Sequence, residues 1–380
     1  MTEFFDLKIV TPTFESPLMN LIIELDYLRK KQIYGTTPPF IFFQLKSIFH
    51  MLESLASARI EGNNTTVARY VETKIDSSPT SENALKEIGN MEGCLEFIDE
   101  HIGDSEINRP FVSELHKRAV MDLPPPPDGE GDANPGAYRT HNVSIKNSAH
   151  EPPDPTSVAP LMDVLFEFIR TGDEPKYDLL KIAIAHHRFV WIHPFGNGNG
   201  RTVRLFTYAM LVKYGFSVNK YRILNPAAVF CNQRSDYYNN LALADTGDDA
   251  NMLIWCEYVL TGLKNEIEKI DRLLEYDFLR KKILLPAVDY ATERRLVTEL
   301  ESKILRKAID KQIIQASDLA GIVHSQHLSE RSRVIRRLKD RKMLKSLPDS
   351  PRKYTIDFFG NYLLRGIIEM LNKEGFVSMR

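Results

Sequence analysis

The 380-residue sequence predicts a mainly α protein, with a helical core that carries one β-hairpin and a C-terminal winged helix-turn-helix. Three observations predict it. Apolar residues recur at helical spacing through residues 16–60 and again through 158–276. Within that body only Tyr138 to Ile145 alternates as a strand does. Residues 295–358 then run helix, helix, helix, strand, turn, strand, the order of a winged helix-turn-helix.

The elements follow in chain order. Residues 16–31 suit a first helix. Residues 40–60 suit a second, with Leu45, Ile48, Phe49, Leu52 and Leu55 on one buried face. Glu61-Gly62-Asn63-Asn64 ends it, because glycine and asparagine make a C-cap. Helices are expected at 67–76, 82–101 and 111–121, before the run Pro124 to Pro127 forces a rigid loop. The hairpin Tyr138 to Ile145 turns at Asn147-Ser148, and Glu151 to Pro155 breaks structure again. Further helices are expected at 158–170, 177–192, 201–214, 234–243 and 250–276. The C-terminal part adds a helix over 296–309, a short one after Ala316-Ser317-Asp318 and a third around 328–341. Strands at 344–347 and 353–356 flank Pro348 to Pro351.

Composition narrows the function classes. The net charge of -2 excludes a chain that is polycationic as a whole, so any basic patch is local. Cys94, Cys231 and Cys256 are odd in number and far apart, which fits a reduced, cytoplasmic setting. No apolar run is long enough for a bilayer, so no membrane partner is expected.

Ile192 to Arg204 reads IHPFGNGNGRTVR and is the most informative segment. Apolar helices on both sides clamp it as a polar loop. The helix after it exposes unpaired N–H groups and a positive dipole end. Gly196, Gly198 and Gly200 let the backbone turn its amides inward around an anion. Arg201 and Arg204, three apart, project from one face and could grip terminal phosphates. His193, at the loop entrance, is placed to take a proton from an attacking hydroxyl.

The segment resembles the Fic family signature HxFx(D/E)GNGRxxR, matched at His193, Phe195, Gly198, Asn199, Gly200, Arg201 and Arg204. The resemblance spans about residues 107–265 and includes Gly136-Ala137-Tyr138-Arg139 ahead of the hairpin. It implies transfer of AMP from ATP to a Ser, Thr or Tyr hydroxyl of a target protein or of the enzyme itself. His193 is the implied base. The implied nucleotide contacts run from Gly198, Asn199 and Gly200 through Arg201, Thr202, Val203 and Arg204, with Phe195 a buried anchor. Tyr138, Val143 and Ile145 resemble the flap that docks the target by strand addition. Tyr237 resembles the aromatic residue of the adenine pocket, although a tyrosine there suits a core equally well. Asn197 departs from the pattern, which has a carboxylate for Mg²⁺ there. An amide oxygen brings no charge, so a metal is expected to rest mainly on phosphate and water.

Ser57 to Gly62 matches the family's inhibitory pattern (S/T)xxxE(G/N). Ser57 and Glu61 are four apart on one helix face, and the resemblance implies that Glu61 takes Arg204 from the γ-phosphate. Four segments are therefore expected: an inhibitory helical region at 1–106, the Fic domain at 107–265, a helical linker at 266–294 and the winged segment at 295–380. His186 and His187 are adjacent, hence on different helix faces, and read as one packed and one polar histidine rather than as zinc ligands. Arg331, Arg333, Arg336, Arg337, Lys339, Arg341, Lys342 and Lys345 call for a partner of negative charge, DNA among them. A homodimer is compatible with a chain of this size. Two alternatives stay open: another phosphate-group or nucleotide transfer on the same fold, and a DNA-binding regulator whose nucleotide site is a sensor.

Overall fold

The computed structural model describes residues 7–30, 36–76, 81–145, 148–172, 174–216, 226–231, 234–323 and 328–377. The chain divides into two units. One is Met1–Ile33, Glu53–Asn64 and Ser81–Glu268, and the other is Tyr34–Leu52, Thr65–Thr80 and Lys269–Arg380. The described helices up to residue 271 are α1 (Pro17–Lys30), α2 (Pro39–Glu61), α3 (Val67–Asp76), α4 (Asn83–His101), α5 (Arg109–Ala119), α6 (Pro155–Arg170), α7 (Asp178–Ile192), α8 (Asn199–Lys213), α9 (Pro226–Cys231), α10 (Arg234–Ala244) and α11 (Asp249–Asp271).

In the first unit α7 and α8 form the centre. Both bury nearly every residue, as a helix apolar on all sides must. α6 packs on α7, and α4 and α5 pack on α8. Trp255 of α11 is fully buried and donates to Ala183 O of α7 at 2.7 Å. α5 and α6 begin earlier than the apolar pattern suggests, because their caps lie in polar sequence. Asn108 accepts from Phe111 N at 3.1 Å at the start of α5. Asp154 accepts from Thr156 N at 2.9 Å, with Pro155 as the first residue of α6.

Tyr138 to Ile145 alternates as expected but forms no strand. Alternation makes a strand only where a partner offers a ladder, and the Arg139 amide bonds Pro194 O at 2.9 Å instead. The expected turn residue Asn147 lies outside the described residues.

The second unit holds the start of α2, α3 and the C-terminal part. α12 (Tyr276–Phe278) runs through a π-helical turn, Leu279–Leu284, into α13 (Leu285–Glu293). α14 (Glu299–Lys311) starts at a capping box of Thr298 and Glu301. A 3₁₀ turn at Ala316–Leu319 stands where a short helix is expected, and α15 (Leu328–Asp340) follows. β1 (Leu344–Leu347) and β2 (Ser350–Ile356) pair antiparallel, Leu344 against Ile356, and Ile314 adds a single bridge to Tyr354. Residues 269–294 of the expected linker and the expected winged segment fall in this unit. α16 (Leu363–Lys373) goes beyond the expectation. It buries Leu363, Leu364, Ile367, Ile368 and Leu371 and packs on α13.

Cys94 and Cys256 are buried free thiols. Among the described residues no helix is long and apolar enough to cross a membrane.

Candidate active site

The loop between α7 and α8 begins at a residue held in an unusual conformation. His193 ends α7 with φ 52° and ψ 61°, the left-handed region that a non-glycine residue enters at a cost of about 1–2 kcal/mol. Arg139 holds it there. Its Nε donates to His193 O at 2.8 Å, and its other guanidinium nitrogens donate to Ile192 O at 3.3 Å, Pro153 O at 2.5 Å and His141 O at 3.1 Å. A buried cation thus sits on the last carbonyls of α7, where the helix dipole is negative. His193 Nδ1 lies 3.2 Å from Val190 O. A carbonyl can only accept, so Nδ1 carries the proton and Nε2 keeps its lone pair. Burial pushes the imidazole pKa down to about 4, against a smaller opposing pull from the Val190 carbonyl. The ring is neutral at pH 7 and able to take a proton.

Below the loop, Phe195 is fully buried and stacks on His116, with centroids 3.8 Å apart and planes 1° from parallel. His116 Nε2 donates to Asn197 O at 3.0 Å, while Nδ1 accepts from Gly136 N at 2.8 Å. Asn199 accepts from Phe195 N and donates to Phe195 O, both at 2.9 Å. Gly198 then turns into α8 at φ 73°, a conformation suited to glycine. Thr202 closes the first turn with a 2.8 Å bond to Gly198 O, and Val203 is buried behind it.

Asn197 sits beside the loop wall. Its amide nitrogen donates to Gly131 O at 3.0 Å, and its backbone N–H donates to Asp132 Oδ2 at 2.8 Å. Asp132 also accepts from Asn134 N at 2.7 Å. For a divalent cation Asn197 therefore brings one neutral oxygen, and the nearby carboxylate is occupied by two N–H groups. Among the described residues no group of three His, Cys, Asp or Glu side chains could hold a metal ion. This donor set does not fit a magnesium site built by the protein alone.

At the start of α8 both arginines are buried, and both face carboxylates. Arg204 donates from Nε to Ser57 Oγ at 2.8 Å, and from a terminal nitrogen to Ser57 O at 3.0 Å and Glu61 Oε1 at 2.6 Å. Ser57 and Glu61 thus grip one guanidinium from one face of α2, which is followed by Gly62 with φ 110°. Burial alone would raise the Glu61 carboxyl pKa, but Arg204 and Arg201 outweigh it and hold it below the ordinary value. A Cβ at Gly200 would collide with Glu61 Oε1, so the carboxylate rests directly on the first turn of α8. Arg201 lies 3.1 Å from Glu87 Oε1 of α4 and donates to Glu130 O. Its Nε is buried without a hydrogen-bond partner. Asn63 donates to Glu87 Oε2 at 2.8 Å, tying this second acid to the residues just after Glu61.

The remaining expected residues divide. Tyr237 is 3% exposed, and its hydroxyl bonds His186 Nε2 at 3.0 Å. Tyr238 beside it is 40% exposed, with the Arg234 guanidinium 5.5 Å over its ring. His186 Nδ1 reaches Thr207 Oγ1 at 2.7 Å and His187 Nε2 reaches Asp245 at 2.9 Å. Both histidines are packed, where one packed and one polar are expected. Tyr138 lies 5.8 Å from the Phe195 ring, with Arg109 over its own ring, and Val143 and Ile145 are half-buried. His116, Asp132 and Glu87 carry no sequence signal. They stand 60 to 120 positions from the motif and act on its backbone or its arginine. Arg139 lies within a segment that the motif marks, yet its hold on the α7 carbonyls is visible only in the structure.

Residues 106–211 match the model of the Fic/DOC family. The protein adenylyltransferase Fic of Drosophila virilis is 30% identical over 197 residues, covering 50% of this chain and 37% of that protein. Its counterpart in Drosophila willistoni is 30% identical over 197 residues, covering 50% and 36%. The match thus spans little more than a third of these curated relatives. A Fic family protein from Desulfovibrio desulfuricans has a similar structure, with TM-score 0.56 at 21% identity over 93% of this chain and 98% of that one. A Fic domain containing signaling protein from Bacteroides thetaiotaomicron reaches 0.55 at 17% identity, over 67% and 97%. At such identities the likeness is one of fold.

Proposed function

Because this chain carries a Fic/DOC family domain over residues 106–211, we propose that it transfers AMP from ATP to a Ser, Thr or Tyr hydroxyl of a protein, itself included, and that Glu61 restrains it. The observation that carries this reading is a neutral His193 with Nε2 open, one loop away from a helix start bearing two buried arginines.

In the proposed reaction His193 Nε2 takes the hydroxyl proton. The oxygen forms a bond to the α-phosphorus, the α–β bridging bond breaks, and pyrophosphate leaves. The first-turn amides of α8 and the loop from Gly198 to Gly200 receive phosphate oxygens. Arg201 and Arg204 take the charge of the leaving group. The exposed ring of Tyr238, next to Tyr237, offers the base a stacking face. Tyr138, Val143 and Ile145 border the loop where a target segment would lie. Magnesium, where used, would come with the nucleotide rather than with Asn197.

Glu61 opposes this by occupying the Arg204 fork at 2.6 Å. A nucleotide bound beside that ion pair would lack one phosphate grip, and in-line attack would lose its geometry. The same relatives are named adenylyltransferases, which favours AMP over a phosphoryl group.

The test is isotopic. Glu61→Gly protein incubated with α-labelled ATP should retain label on protein, and the added substitution His193→Ala should cut it by on the order of 10²–10⁴-fold. Label retained from γ-labelled ATP, with none from α-labelled ATP, would replace AMP transfer with phosphoryl transfer.

A further inference from the structure

The two units carry opposite charge. The unit with the Fic domain has 22 Lys and Arg against 34 Asp and Glu, a net of -12. The other has 27 against 17, a net of +10. Near-neutrality of the whole chain hides this division. Most of the positive charge is concentrated. Residues 331–353 hold ten Lys and Arg, against Asp340 and Asp349 alone.

The concentration has a shape. α15 buries Ile335 and Leu338 and turns Arg333, Arg336, Arg337 and Lys339 outward. Arg333, Arg336 and Arg337 are three and four apart and share one face. On β2, Arg352 and Lys353 are exposed at the turn that joins it to β1. The Lys339 amine lies 5.6 Å over the Tyr354 ring, so the basic side of α15 continues onto the basic end of β2. Part of the charge has a structural task. Arg341 bonds the buried Glu301 at 2.8 Å, and Arg337 stands 3.4 Å from the same carboxylate. These two arginines fix α15 against α14. Arg333, Arg336, Arg352 and Lys353 have no such partner among the ion pairs of the described residues.

We infer that this surface binds duplex nucleic acid, chiefly through its phosphates. A duplex carries one negative charge per about 1.7 Å of its axis, and its major groove admits one α-helix. A rigid basic helix beside a basic two-stranded turn answers both features. A lipid surface fits poorly, because a membrane-lying helix needs large apolar side chains at its outer edge. Among the described residues none of the exposed large hydrophobic side chains falls within 329–356. This inference is independent of the AMP-transfer reading, since it uses neither the loop nor its arginines.

The full chain should be titrated into a fluorescein-labelled mixed-sequence duplex of about 20 base pairs, across about 50–200 mM NaCl. The expected result is micromolar binding at low salt that weakens steeply as salt rises. The variant Arg333→Ala/Arg336→Ala/Arg352→Ala/Lys353→Ala should lower the log–log salt slope by about three to four. Arg333→Lys/Arg336→Lys should keep most of the binding, and Lys281→Ala, elsewhere on the same unit, should keep all of it. Thermal unfolding of each variant separates lost contacts from lost folding. No binding at 50 mM salt, or an unchanged slope in the folded four-site variant, would overturn the inference. Equal binding of a polyglutamate peptide would also overturn it, in favour of an acidic protein partner.

Discussion

The two helix ends joined by the 193–198 loop are held by opposite charges, and the partners differ in kind. At the end of α7 a cation, Arg139, binds backbone carbonyls. At the start of α8 two carboxylates, Glu61 and Glu87, stand against Arg204 and Arg201. Both arrangements suit the helix dipoles. Under the proposed function only the second can be exchanged with the nucleotide, which has no guanidinium to place on main-chain carbonyls. A phosphate can replace a carboxylate on a guanidinium, with equal or better geometry. On that reading, the base end is built once and kept, while Glu61 and Glu87 stand where phosphates would bind. Under the proposed function, regulation would act at the start of α8 while His193 stays neutral.

The largest effect that could break this comparison is at Arg139. Arg139→Met strips several charge-assisted bonds from buried carbonyls, so stability should fall by about 3–5 kcal/mol in denaturant unfolding. A loss under about 1 kcal/mol would mean that the α7 end is not a fixed strut. A smaller effect is expected at Asn197. Asn197→Asp adds a charged oxygen beside the loop and should raise magnesium-dependent AMP transfer by roughly tenfold in the Glu61→Gly background. An unchanged or lower rate across a magnesium titration would contradict the donor-set argument.

The smallest effect is a near absence of pH dependence. His193 is held neutral down to about pH 4 by burial. Since its folded pKa is depressed, the base form is present above that value and is lost only as pH falls through it. Glu61 pulls this pKa upward, so its removal lowers the value further. The kcat/KM of Glu61→Gly protein should change less than about twofold between about pH 7 and 5.5. An ordinary histidine base would lose nearly tenfold over that range, and such a loss would show an exposed imidazole instead.

How far this was readable before the fold is uneven. α7 and α8 were legible because buried helices write their apolar character on every turn, and the 193–204 motif fixes many positions in few residues. Glu61 was legible through its spacing from Ser57, and the structure seats its carboxylate on Arg204. Glu87, Asp132 and His116 were not legible. Each makes one or two contacts with distant backbone or with Arg201, and many residue types at many positions could do so. The hairpin expectation failed for a related reason. Alternation in 138–145 reports two faces but not the presence of a partner strand. The burial of Tyr237 rather than Tyr238 depends on the helical phase of α10, a short helix whose apolar residues do not define one side.

Under the proposed function, Glu61 on Arg204 denies a bound nucleotide the grip it needs for AMP transfer. The most direct measurement is intact-protein mass spectrometry of wild-type and Glu61→Gly protein after incubation with ATP and magnesium. The account predicts a mass gain of one or more AMP units in Glu61→Gly and little or none in wild-type. No AMP adduct on folded Glu61→Gly protein, or equal adducts on both proteins, would contradict it.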